Sequence, residues 1–495
     1  MRITPCQAAL AAAIALNLLL LLCSRLVPGA TTQCHPPRAV PGVTVILRDF
    51  DGPAHDVAAT ARSFASSSPG VPVLVATEVS PYPPIPLPAG VTVLSLLPQP
   101  HRPPPRPELA VRTRHVALVP DGARAVPGLL RRMRDVLEAA RPGGTKVVAA
   151  AVGRQRPRCW GLEVDIKAWT VRYGHTDQQS DQRSDHWRSE LCGALAGAPA
   201  VLLLRTHDLF SLPFPLTRPV VTSLSLQAAV RGWRLLLLPD SFPSAPRPPR
   251  SPQEQRKAEN SRDERHWALL ERFGIKLEVL PDGRQRWHGC AKDTPRCFGT
   301  IRAQTPEYLL AGRWTPPCCL RALRATARHV LAQLEAAGVR HWLEGGSLLG
   351  AVRLGDIIPW DYDVDVGLYQ QDVPKCRWLA AVAATGRPVE DPEGFLWEKA
   401  AEGEFFRVHF SRANRLHVDL WPFRVGRGGL MTKDTWLGHR QDVEFPESFL
   451  LPLGTVAFAG VVAKAPNDPR AFLEFKFGPG VVESPEYPNP QVRRL

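Results

Sequence analysis

Three aspartates stand at alternating positions, Asp361, Asp363 and Asp365, and a small Gly345-Gly346-Ser347 turn lies shortly before them. Side chains two apart in a strand point to one face, so the spacing predicts three carboxylates projecting together. Like charges held that way repel unless a cation sits between them. Hard carboxylate oxygens suit Mg²⁺ or Mn²⁺, and Mg²⁺ usually shares its coordination with substrate phosphates. A solvated acidic loop would also carry such acids. Here, however, Trp360, Val364 and Val366 interleave apolar bulk with them, as a strand beside a core does. Another apolar-flanked acid follows in His417-Val418-Asp419-Leu420-Trp421. The pattern points to metal-assisted chemistry on a phosphorylated substrate. A Gly-Gly-Ser turn lets backbone N–H groups approach a phosphate closely.

At 495 residues the chain is long enough for two cores. The net charge of +14 does not mark a nucleic-acid protein, because the arginines are scattered rather than run together with aromatics. An acidic substrate fits that balance as well. Residues 1–7 read as a short tail. An uncharged run from Ala8 to Cys23 falls between the length of a signal-peptide core and that of a span. It reads as a signal-anchor over 8–24 that leaves the rest of the chain lumenal, with a cleaved signal as the alternative. Residues 25–42 follow as a stem. From Val43 to Val152, strand-like and helix-like segments alternate. That order predicts an α/β domain over 43–286 with a mainly parallel sheet. Ser251–His266 reads as an exposed charged helix. Leu320, Leu323, Ala327, Val330, Leu331 and Leu334 recur at helical spacing, so a helix is expected over Leu320–Ala337. Asp468-Pro469 starts another, with Phe472, Leu473 and Phe475 facing a core. The catalytic domain is expected over 287–495.

Cys290, Cys297, Cys318 and Cys319 fall within a 30-residue stretch. Four thiolates from two pieces of chain can close a tetrahedral zinc site. In an oxidising lumen, two cross-paired disulfides are the alternative. Cys159 and Cys192 are expected to pair, and Cys376 reads as a buried thiol.

The segments Glu344–Gly350 and Ile358–Val366 resemble the LicD family, whose acids sit in a nucleotidyltransferase fold. Arg313–Leu320, His417–Phe423, Met431–Trp436, His439–Pro446 and Lys476–Gly480 extend the resemblance to the fukutin-related branch over nearly the whole chain. This implies an α+β catalytic domain with Mg²⁺ or Mn²⁺ held by Asp361, Asp363 and Asp365. It also implies a catalytic set of Asp363, Asp365 and Asp419, the last acting as general base or further ligand. It implies zinc at the four cysteines, a type II Golgi membrane protein, and transfer of ribitol 5-phosphate from CDP-ribitol to a ribitol phosphate on the O-mannosyl glycan of α-dystroglycan. Transfer of phosphocholine or glycerol phosphate, and a non-catalytic lumenal scaffold, are the alternatives. For the donor, Gly345, Gly346 and Ser347 would seat phosphate, and Arg353 would pair with it. Trp360 would stack on the base or simply pack. Arg440 and Gln441 offer donors to base or ribose, and Glu483 lies in a tail that would fold over the site. Tyr362 stands where bacterial members often carry another Asp. His417 reads as a structural hydrogen-bonding residue. Val116–Gly122 resembles the metal-binding strand end of family A glycosyltransferases with only Asp121 left. The first domain is therefore expected to be a glycosyltransferase-like (Rossmann-like) relic that binds the acceptor or a second copy of the chain.

Overall fold

A computed structural model of the chain describes residues 40–50, 55–67, 70–78, 84–98, 105–140, 143–175, 189–246, 251–296, 301–302, 305–439 and 441–485. The expected tail, anchor and most of the stem lie outside them, as do Cys297 and Arg440. Among the described residues no helix is long and apolar enough to cross a membrane. The chain divides into two compact units, residues 1–159 with 179–249, and residues 160–178 with 250–495. The division differs from the expected boundary at 286: a hairpin from the middle of the first stretch and the segment from 250 both belong to the second unit.

The first unit is built on β1 (Val40–Leu47), β2 (Val73–Thr77), β3 (Val91–Ser95), β4 (Thr113–Val119), β5 (Thr145–Val152), β6 (Glu190–Cys192), β7 (Ala200–Arg205) and β8 (Arg234–Phe242). Their order is β3-β2-β1-β4-β7-β5-β8-β6. The sheet is mainly parallel, as expected, with two exceptions: β7 runs antiparallel between β4 and β5, and β6 runs antiparallel to β8. Its central strands are continuous aliphatic runs, buried on both faces. Helices α1 (Val57–Ser67) and α2 (Leu129–Ala140) cover one face through Phe64, Met133 and Leu137. Helix α3 (Val220–Val230) covers the other through Val220 and Leu224. Asp121 accepts a hydrogen bond from the Asp56 amide at 2.9 Å, a fastening just ahead of α1. Cys159 and Cys192 are joined as a disulfide.

After its hairpin of residues 160–175, the second unit continues with α4 (Pro252–Phe273), capped by Ser251 and Glu254 in a reciprocal box and ended by Gly274 in the left-handed conformation. Only Leu269 and Leu270 of α4 are buried, so this charged helix is nearly all surface. Helix α5 (Pro317–Ala336) begins three residues earlier than its apolar repeat, because Pro317 suits a first turn. Its buried stripe includes Leu323, Ala327, Val330, Leu331 and Leu334. The central sheet holds β9 (His341–Leu343), β10 (Val364–Tyr369), β11 (Val389–Glu390), β12 (Leu396–Lys399), β13 (Phe406–His409) and β14 (His417–Val425), in the order β9-β10-β14-β13-β12-β11. Only β10 and β14 are parallel neighbours on this path. Between β9 and β10 lies α6 (Gly345–Leu354), and α7 (Arg377–Thr385) follows. The terminal helix α8 (Pro469–Phe477) is capped by Asp468, which accepts from the Ala471 amide at 3.0 Å. Phe472 and Leu473 are buried, but Phe475 is 49% exposed. The buried arc of α8 centres near Lys476, and Phe475 falls at its edge against Phe449.

Candidate active site

Gly345-Gly346-Ser347 is the first turn of α6 rather than a free turn, with extended Glu344 as N-cap. Gly345 holds φ +55°, a left-handed value that side chains disfavour. A Cβ on Gly346 would lie 2.8 Å from an Asp361 carboxylate oxygen, and one on Gly345 would lie 3.5 Å from an Asp365 oxygen. The glycines let the acids close on the positive end of the helix. Ser347, buried, accepts from the Asp365 amide at 2.9 Å and pins α6 to β10.

The three aspartates do not share one strand. β10 begins at Val364, so Asp361 and Asp363 stand on the loop before it. The cause is local bonding. An Asp361 carboxylate oxygen accepts from the Tyr362 amide at 3.1 Å, and its carbonyl accepts from the Thr315 hydroxyl at 2.6 Å, in competition with a ladder. The side chains converge all the same, close enough for Asp361 and Asp363 to influence each other's ionisation. Asp419 stands directly across from Asp365 in the parallel register of β10 and β14. Asp363, His417 and Asp419 bring one potential ligand atom each to within 4.8 Å of one another.

The electrostatics follow from this crowding. Burial pushes the Asp361 carboxyl up to about 6, against opposing hydrogen bonds from Asp363 and from backbone amides. Burial and then the Asp419 charge push Asp365 up to about 7, opposed by the Trp421 indole N–H, which donates to it at 2.9 Å. Burial, reinforced by the charges of Asp365, Asp361 and Asp419, raises Asp363 well above the carboxylate range. Cations stand around the group. Arg407 on β13 donates to both Asp419 oxygens, at 2.7 and 3.0 Å. Lys433 is buried over the Trp421 ring at 3.9 Å and paired with Asp442 at 2.7 Å. The neutral form of His417 is favoured by burial. Its Nδ1 lies 3.0 Å from the Arg415 carbonyl, which can only accept. That bond leaves the lone pair on Nε2, 3.9 Å from an Asp419 oxygen. Behind the helix N-terminus, Glu344 accepts from the Trp342 indole at 2.7 Å and is ion-paired with Lys476, all three buried.

A second cluster lies at the start of α5. Cys290 and Cys318 are joined, and the Cys290 sulfur lies 3.5 Å from that of Cys319, so three buried sulfurs stand within 4.8 Å of one another. Cys319 is itself disulfide-bonded. Cys376 is a buried free thiol.

Comparison with known proteins places this site. The model for the fukutin-related protein stem domain matches residues 30–281, and that for the LicD/FKTN/FKRP nucleotidyltransferase domain matches residues 338–468. The human protein named ribitol 5-phosphate transferase FKRP is 53% identical over 100% of this chain and 99% of its own length. The chain belongs to the fukutin-related protein family. The mouse member of the same name is 51% identical over the same shares. An uncharacterized protein of Rickettsia prowazekii is 26% identical over 29% of this chain and 49% of its own. All four acids, Arg407 and His417 fall inside the nucleotidyltransferase match.

Two other expected donor-binding residues of this fukutin-related family member, Arg353 and Glu483, are engaged away from the acids. Arg353 lies eight residues along α6 from Gly345, about 12 Å along the axis. It donates to the Val482 carbonyl instead of facing the acids. Glu483 is exposed and paired with Arg470 at 2.7 Å. Trp360 and Tyr362 are half-buried against the core, and burial together with the three aspartates raises the Tyr362 hydroxyl pKa. Gln441 is half-buried beside Asp442. Sequence reasoning missed Arg407, Lys433 and the Glu344–Lys476 pair, and gave His417 only a structural part. One signal was available: Arg407 interrupts an apolar strand, Phe406-Arg407-Val408, where a charge needs a partner.

Proposed function

We propose that this chain is a ribitol 5-phosphate transferase that takes ribitol 5-phosphate from CDP-ribitol, attaches it to a ribitol phosphate on the O-mannosyl glycan of α-dystroglycan, and releases CMP. The observation that carries the reading is the convergence of Asp361, Asp363, Asp365 and Asp419 on the N-terminus of α6, in a chain so close to proteins named for that activity. The donor set fits a divalent cation: crowded carboxylates whose mutual repulsion Arg407 offsets only at Asp419, and an imidazole with its lone pair directed among them. Asp363, Asp419 and His417 would hold Mg²⁺ or Mn²⁺, with Asp361 and Asp365 beside them. The ion supplies charge neutralisation for a diphosphate and its leaving nucleotide. Asp419 already accepts from Arg407 on both oxygens, which suits a ligand better than a proton acceptor. Gly345, Gly346 and the α6 dipole seat phosphate, and Ser347 keeps that helix end against Asp365. Zinc at Cys290, Cys318 and Cys319, with Cys297 as fourth ligand, would take these sulfurs as thiolates in place of the Cys290–Cys318 cross-link, and the clustering of three sulfurs supports it. The first unit is proposed as a glycosyltransferase-like relic that binds the acceptor, supported by the lone Asp121, which serves as a backbone fastening. The uncharged run Ala8–Cys23 supports a type II Golgi anchor.

The test is the full chain in detergent, offered CDP-ribitol, CDP-glycerol and CDP-choline with a ribitol-phosphate glycopeptide, and mass spectrometry of the acceptor. One added ribitol phosphate, from CDP-ribitol only, is expected. Preferential transfer of glycerol phosphate or phosphocholine would sink the substrate assignment, and absence of any transfer would favour a scaffold.

A further inference from the structure

We infer that Arg407 is a positioning residue for the divalent-cation site: its guanidinium fixes the Asp419 carboxylate in the orientation that makes it a ligand. The inference rests on the metal-dependent reading above. Three residues stand in one row across three strands. Asp365 on β10 is in register with Asp419 on β14, and Asp419 is in register with Arg407 on β13. Arg407 meets Asp419 as a fork, Nε to one oxygen at 2.7 Å and Nη2 to the other at 3.0 Å. Its remaining nitrogen, Nη1, donates to Glu402 at 3.0 and 3.3 Å, so the fork is itself gripped from the outside. All three guanidinium nitrogens are therefore engaged, which makes Arg407 a poor candidate for the phosphate arginine of the site.

The pair is not needed to hold β13 to β14, because those strands are already laddered by backbone from Phe406 to His409. Its effect falls on the acid group. Asp419 enters a cluster in which Asp361, Asp363 and Asp365 already repel one another, and Arg407 is the cation that touches it directly. A bidentate carboxylate cannot swing about its Cβ–Cγ bond, yet each oxygen keeps a second lone pair for a metal. Partners of this kind outside the ligand set tune metal affinity by about 10–100-fold.

The experiment is a Mn²⁺ titration of the full chain followed by electron paramagnetic resonance, with no donor present, for wild type, Arg407→Gln, Arg407→Lys, Glu402→Gln and Asp419→Asn. Arg407→Gln should weaken Mn²⁺ binding about 10–100-fold, and Arg407→Lys should recover only part of it, since an ammonium lacks the fork. Glu402→Gln, a change at an exposed carboxylate, should weaken it less but in the same direction. Arg407→Gln placed on Asp419→Asn should add no further loss, because the two changes remove one interaction. Folded Arg407 variants that bind Mn²⁺ like wild type, or losses that simply add in the double variant, would overturn the assignment. If Arg407→Gln does not fold, Glu402→Gln and Arg407→Lys decide in the same way. Failure of wild type itself to bind Mn²⁺ would instead overturn the metal reading on which the inference rests.

Discussion

Asp365 and Asp419 stand side by side across parallel strands, and the charge of Asp419 helps to raise the carboxyl of Asp365. A fold stabilised by burial places two acids where the charge of Asp419 disfavours the ionised form of Asp365. That arrangement costs stability unless a cation relieves it, and the cost is what makes the site a cation trap.

Asp363→Asn or Asp365→Asn should therefore reduce transfer about 10²–10³-fold, the usual scale for removing one pre-organised electrostatic partner. Neither should unfold the protein. In chelator, both variants should melt at or above the wild-type temperature, because a repelling charge has been removed from a crowded group. Wild-type rates in either variant would exclude the acid cluster as the site of chemistry. Melting scans beside rate measurements read both effects.

The pH dependence of stability has a definite sign. The carboxyls of Asp361 and Asp365 are pushed up to about 6 and about 7, against about 4 in an unfolded chain. Between those limits the native state binds more protons than the unfolded state, so this contribution falls as pH rises from about 4 to about 7. In chelator, Asp365→Asn should flatten part of that decline relative to wild type, and Mn²⁺ should flatten it in wild type. Parallel stability curves for the two proteins across this window would contradict the raised carboxyls.

Much of this was legible in the chain and some was not. The α5 stripe from Leu323 to Leu334 followed from spacing alone, since helical burial needs only local periodicity. The alternation of Asp361, Asp363 and Asp365 suggested one strand. A hydroxyl 46 positions away, that of Thr315, holds the Asp361 carbonyl and helps keep the first two acids in a loop. No local pattern carries such a tie. Arg353 was misplaced for another reason. Gly345-Gly346 reads as a turn, yet nothing breaks the helix from there to Gly355, so Arg353 ends a helix length from the acids. Arg407 meets Asp419 only through strand register, which spacing does not reveal.

The cysteine cluster gives a separate test. Cys318→Ser should lower the melting temperature of the second unit and leave the preference among CDP-alcohols unchanged, because Cys318 is buried at the start of α5 and away from the acids in sequence. Elemental analysis of wild type should find about one zinc per chain, by the four-ligand count. Peptide mapping that recovers all four cysteines as two intact disulfides, with no zinc, would remove the metal from this cluster and leave the stability effect to cross-links.

The last prediction concerns where the catalytic unit can be cut. A chain beginning at Ser251 would retain every acid of the site and the whole of the catalytic domain expected over 287–495. The structure argues against that cut, because the hairpin between residues 160 and 175 belongs to the second unit. Its Trp169 donates to the Trp314 carbonyl at 2.7 Å and carries the Arg313 guanidinium 3.3 Å from its ring centre. The Trp169 carbonyl accepts from the Lys276 amide at 2.7 Å, and the Lys167 carbonyl accepts from the Trp314 amide at 2.9 Å. Trp314 lies three residues before α5 and next to Thr315, the residue that holds the Asp361 carbonyl. Loss of the hairpin would thus loosen the segment that shapes the acid loop. Truncation at Ser251 should yield aggregating protein or protein without Mn²⁺ binding. Trp169→Ala in the full chain should cost about 2 kcal/mol or more, below the 3–5 of a fully buried Trp because this ring is half-buried. A Ser251 chain that is soluble, melts cooperatively and binds Mn²⁺ as tightly as the full protein would show that the hairpin is dispensable to the site.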